Sequence, residues 1–148
     1  MTARQSRPAH VQPSSIIIVF LGGIVGTGLR YGLEKAFAPA GTEWPWATFG
    51  INLTGAFALG LLLETLTRCV LPERRRAQFR LFFGTGVCGS YTTYSTFAGE
   101  VTMLIHRGAI ATAIGYAVGS VVLGVICAQA GAVAASVSIR GARPGASS

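Results

Sequence analysis

Charge is scarce in this sequence. Asp, Glu, Lys and Arg make up 11% of the 148 residues, and only five of them are acidic. The sequence holds no paired carboxylates for general acid–base work. It holds no P-loop, HExxH or GxSxG motif, so the familiar hydrolase and transferase constellations are missing. Three cysteines, Cys69, Cys88 and Cys127, are scattered without CxxC spacing. They form neither a disulfide framework nor a zinc site, and Cys88 and Cys127 read as small buried hydrophobes. There is no repeat of 20–50 residues. The first apolar run leads into further apolar runs and not into a cleavage site and a soluble domain, so no cleavable signal peptide is expected.

What is abundant is apolar. Hydrophobic residues reach 51% and mean hydropathy is positive. With one domain's worth of chain, that balance predicts an all-α integral membrane protein. The net charge of +7 does not point to nucleic acid, because most arginines sit in the tails and one loop. Such placement is a topology signal.

Four spans are expected inside a transmembrane region 15–139, at about 15–33, 46–66, 81–105 and 109–135. Disordered tails are expected at 1–14 and 140–148. The first span carries Gly22, Gly26 and Gly28, with Gly22 and Gly26 at the spacing for close helix packing. Arg30 near its end reads either as snorkelling to the interface or as a cation that draws anions. Trp44 and Trp46 fit an aromatic belt. Asn52 lies inside the second span, either as glue between helices or as an N–H donor in a pore. The fourth run, uncharged from Gly108 to Ile139, is longer than one bilayer needs. Four spans put both termini on one side. That side collects Arg4, Arg7, Arg68, Arg74, Arg75, Arg76, Arg80, Arg140 and Arg143, against Arg30, Lys35 and Arg107 on the other. Nine against three predicts cytoplasmic N- and C-termini in a multi-pass protein of the cell membrane.

The third span is unlike the rest. Leu81 to Gly99 is uncharged over 19 residues, about the length that crosses a bilayer. Yet Gly84, Gly86 and Gly89 crowd its middle, followed by a run of hydroxyls and aromatics from Ser90 to Phe97. This composition predicts a helix broken at Gly89 that lines something other than lipid, or else a tight helix–helix interface. The groups inside the spans are neutral donors and rings: Asn52, Thr92, Thr93, Tyr94, Ser95, Thr96, Phe97, Tyr116 and Ser120. Amide and hydroxyl hydrogens and the positive edges of aromatic rings suit a small, strongly hydrated anion. A cation pathway would favour carboxylates or carbonyls, and Glu100 is the only acid of that span.

Three stretches, GGIVGTGLRYGL, WATFGINLTGAFALG and GVCGSYTTYSTFAGEV, resemble in order and spacing the signature segments of the CrcB/Fluc family of fluoride ion channels. The resemblance covers all four spans, and the TTxSTF pattern after a glycine-rich stretch is its most specific part. It implies four transmembrane helices per subunit with the third broken, in an antiparallel, dual-topology dimer. Two fluoride pores would run along the interface, with a structural Na⁺ at the dimer centre held by backbone carbonyls. Carried onto this chain, those carbonyls are Gly89 and Thr92. The aromatic pair facing fluoride is Tyr94 and Phe97, the pore amide Asn52 and the vestibule cation Arg30. Thr96, Tyr116 and Ser120 fall on the polar side of the pore.

Two features depart from that pattern. Tyr94 stands where the family generally has phenylalanine, which adds a hydroxyl that donates to fluoride or narrows the pore. The arginine bias suits one-way insertion, whereas a dual-topology protein needs a weak bias. Homodimer and heterodimer with an oppositely oriented paralogue are therefore both open. The expected partners are fluoride and lipid. The competing readings are a small multidrug-type exporter, a non-conducting partner subunit of a heterodimeric channel and a non-transporting scaffold. The exporter needs a carboxylate in its first span, and Ser15 to Leu33 has none.

Overall fold

A computed structural model describes residues 13–37 and 44–141, and among them every regular element is helical. Helix α1 spans Pro13–Ala36 and α2 spans Trp46–Arg68. A continuous rod then runs through α3 (Glu73–Phe79), a π-helical stretch (Arg80–Cys88) and the single turn α4 (Gly89–Tyr91). After a break at Thr92 and Thr93 come α5 (Tyr94–His106) and α6 (Ile110–Gly141). Pro13, Ser14, Arg140 and Gly141 are helical; the rest of the expected tails lies outside the described residues.

Among the described residues, α1, α2 and α6 are long and apolar enough to cross a membrane. At 1.5 Å per residue, the 32 residues of α6 measure about 48 Å, well over the roughly 30 Å hydrocarbon core. The stretch between α2 and α6 is interrupted, so no single helix of that kind covers it.

Glycine sets the packing. Helices α2 and α6 run antiparallel in close contact. A Cβ at Gly60 would strike the Ala128 carbonyl, and one at Gly131 would strike the Phe57 carbonyl. On the other flank, Gly22 of α1 faces Gly86 and the Phe82 carbonyl, and Gly26 faces the Val87 carbonyl. Bare backbones approach in this way where lipid supplies no hydrophobic drive and dispersion must hold helices together. Gly28 meets nothing within 4 Å and belongs to neither contact. Large apolar side chains such as Phe20, Ile24, Val121 and Val125 point outward. The buried cluster is small: Leu104, Ala113 and Tyr116, with Trp44, Phe49 and Phe97 packed on it.

The break lies three residues beyond the expected place. Gly89 is helical at φ −65° and ψ −29°. The chain leaves the helix at Thr92 (ψ 154°) and Thr93 (φ −142°, ψ 119°). Glycine only weakens a helix. A break in an apolar segment also needs substitutes for the lost backbone hydrogen bonds. Threonines with a facing asparagine supply them, and the glycines serve close approach instead.

Candidate functional site

The break is held from α2. Asn52 Oδ1 accepts the Thr93 N–H at 2.9 Å, and Asn52 Nδ2 donates to the Thr93 carbonyl at 3.2 Å. One side-chain amide thus pairs both backbone groups of an extended residue, as a neighbouring strand would. The Thr93 hydroxyl oxygen then caps α5 by accepting the Thr96 N–H at 3.1 Å, and the same hydroxyl donates to Thr96 Oγ1 at 3.0 Å. Thr92 folds back, its N–H and hydroxyl both donating to the Cys88 carbonyl at 3.0 and 2.9 Å.

These bonds decide which carbonyls are released. In an unbroken helix, Gly89 would accept from the N–H of Thr93, and Thr92 from that of Thr96. The first N–H goes to Asn52 and the second to the Thr93 hydroxyl. The carbonyls of Gly89 and Thr92 therefore lose their helical donors. Both residues line a cavity of about 440 Å³, together with Asn52, Thr93, Tyr94, Phe97 and Ser120. The C-terminal end of α4 and the N-terminal end of α5 meet at this cavity. Helix dipoles make the first end attractive to a cation and the second to an anion.

The rings form a graded set. Tyr94 and Phe97 have centroids 6.1 Å apart, and Phe97 and Tyr116 5.2 Å apart, both tilted. Tyr94 is 81% exposed in the middle of an apolar segment, whereas Tyr116 is fully buried. The cavity side of the set therefore opens outward through Tyr94. Ser120 Oγ is buried without a hydrogen-bond partner among the described residues, leaving a donor on the cavity wall unused.

Behind the rings lies a group that residue-by-residue reading missed. Glu100 accepts from Thr48 Oγ1 through one oxygen and from the Tyr116 hydroxyl through the other, both at 2.7 Å. The three residues sit on α2, α5 and α6 and tie those helices together. Glu100 was visible as the only acid of its span. Its partners lie 52 and 16 residues away, and no spacing rule connects them.

Six of the sequence-predicted residues thus converge on one cavity: Asn52, Gly89, Thr92, Tyr94, Phe97 and Ser120. Thr96 and Tyr116 stand behind it through the Thr93 cap and the Phe97 ring. Arg30 does not line the cavity; it lies 3.9 Å from Glu34, one turn along α1.

Residues 17–132 match the family described as CrcB-like protein, Camphor Resistance (CrcB). A relative from Leifsonia xyli subsp. xyli, fluoride-specific ion channel FluC 2, is 41% identical over 141 residues, which is 95% of this chain and 97% of that protein. Fluoride-specific ion channel FluC of Methylobacterium sp. is 43% identical over 110 residues, covering 74% of this chain and 86% of its own. The protein of the same name from Chloroflexus aurantiacus is 44% identical over 115 residues, covering 76% and 88%.

Proposed function

The chain belongs to the CrcB family, and on that premise we propose that it is a fluoride-specific channel that lowers cytoplasmic fluoride by passive efflux. It is a membrane protein. In this reading the stretch 73–106 supplies the fourth crossing, and two subunits join antiparallel with pores along their interface. The observation that carries the reading is the cavity at the Thr92–Thr93 break. It gathers an amide, a hydroxyl without a hydrogen-bond partner and a pair of rings on one wall.

Fluoride gives up its hydration on entry and needs donors in return. Asn52 spends one N–H on Thr93 and has a second to offer. Ser120 offers its hydroxyl, and Tyr94 and Phe97 offer ring edges. The outward-facing Tyr94 ring gains a second wall when a partner subunit covers it. Arg30 would act at the vestibule, apart from the cavity.

The residues also fit a structural Na⁺. The carbonyls of Gly89 and Thr92 are hard oxygen donors released from helical bonding. Two subunits would present four of them. The ion would fix the breaks to each other and supply positive charge beside the anion path.

A second reading is favoured by the nine-to-three bias of Lys and Arg. The chain inserts one way, with cytoplasmic termini, and an oppositely oriented paralogue completes the dimer, in which this subunit conducts or only supports. Growth of a fluoride-sensitive bacterium tests the function. This gene, alone or with such a paralogue, should restore growth on fluoride, and failure of both arrangements contradicts the proposal.

A further inference from the structure

A second site lies at the opposite level of the molecule from Trp44, beside the amino end of α1. A groove of about 360 Å³ is lined by Ile18, Gln78, Phe79, Phe82 and Phe83. Phe79 and Phe83 are stacked at 6.1 Å with planes 8° apart, and both are more than 40% exposed. Phenylalanine and isoleucine make this wall mostly apolar, with Gln78 as its one polar side chain.

One helical turn before these residues the chain is basic. Arg74 lies four residues before Gln78, and Arg75 four before Phe79, so each shares a helix face with a groove residue. Both arginines are exposed and have no ion-pair or hydrogen-bond partner among the described residues. Arg76 is already engaged, donating to the Cys69 carbonyl at 3.2 Å. Glu73 is the one acid nearby, against three consecutive arginines. An apolar groove with unpaired guanidinium groups one helical turn away has the polarity of a phospholipid, tail at one end and phosphate at the other. A guanidinium fork pairs a phosphodiester in two places, while the ammonium of a zwitterionic headgroup would be repelled.

We propose that this groove binds an anionic glycerophospholipid, with Phe79 and Phe83 against an acyl chain and Arg74 and Arg75 on the phosphate. The inference is independent of fluoride conduction, because its readout is bound lipid.

Native mass spectrometry of the detergent-purified protein tests it with phosphatidylglycerol and phosphatidylcholine of matched chains. Wild type should retain phosphatidylglycerol preferentially. Arg74→Gln/Arg75→Gln should weaken that retention by about 30-fold, at roughly five-fold per arginine near an anionic surface. Arg74→Lys/Arg75→Lys should recover most of it while Phe79→Ala/Phe83→Ala loses both lipids. Soluble glycerol phosphate in excess should fail to displace the lipid. Equal retention of the two lipids by wild type overturns the proposal, as does undiminished preference in the glutamine variant. Displacement by glycerol phosphate overturns the acyl-chain half of it.

Discussion

The side-chain amide of Asn52 on α2 closes two hydrogen bonds on the backbone of Thr93, at 2.9 Å to its N–H and 3.2 Å to its carbonyl. Nothing else among the described residues pairs those two groups. The same clamp diverts the donor that Gly89 would have used. Asn52 therefore joins fold and site: it holds the break open and faces the cavity.

Asn52→Ala should destabilise the protein by about 2 kcal/mol or more, because two backbone groups lose their partner away from water. Its thermal midpoint in detergent should fall, and fluoride efflux should vanish. Asn52→Asp keeps the acceptor for the Thr93 N–H and should lose less stability, yet its charge should still abolish efflux. A stable, conducting Asn52→Ala protein would show that the clamp is dispensable.

Glu100 with its two hydroxyl donors predicts coupling. Tyr116→Phe should cost about 1.5–3 kcal/mol, the range for a hydrogen bond to a charged group. In a Glu100→Gln background the same change should cost about 1 kcal/mol, the neutral value. Equal costs in the two backgrounds, read by reversible unfolding, would mean the carboxylate is not what Tyr116 serves.

The glycines sort by contact. Gly60→Ala and Gly131→Ala drive a Cβ into a backbone carbonyl of the facing helix. Each should cost about 1–3 kcal/mol through forced separation of α2 and α6. Gly28→Ala meets nothing within 4 Å and should stay within about 0.5 kcal/mol of wild type. An equally damaging Gly28→Ala would place that helix face against something outside the subunit.

Orientation is testable through Cys69, a free thiol at the end of α2 on the arginine-rich side. With Cys88 and Cys127 replaced by alanine, an impermeant maleimide should label it in inverted vesicles and not in intact cells. Labelling from both sides would show dual insertion despite the arginine bias.

The apolar runs made α1, α2 and α6 legible in the sequence, because length and composition alone decide whether a helix suits a bilayer. The hydroxyl-rich stretch after Gly89 pointed to the candidate cavity, because hydroxyls are costly in lipid unless they find partners. What stayed hidden was long-range. The break was expected at Gly89, the last of three closely spaced glycines of low helix propensity. It falls at Thr92 and Thr93 because Asn52, 41 residues earlier, supplies the replacement bonds. Thr48 gave no sign of its role, since an inward threonine and a solvated one look alike in sequence. The wide winding of Arg80–Cys88 likewise has no local signature.

Fluoride release from liposomes separates a fluoride channel from every other reading of this chain. The purified chain, alone and with an oppositely oriented paralogue, is reconstituted, and efflux is followed with a fluoride electrode against a chloride control. Fluoride efflux should be fast in at least one arrangement, chloride efflux absent, and the fluoride signal lost in Phe97→Ala. Chloride passing as readily as fluoride, or no fluoride efflux in either arrangement, would contradict the channel reading.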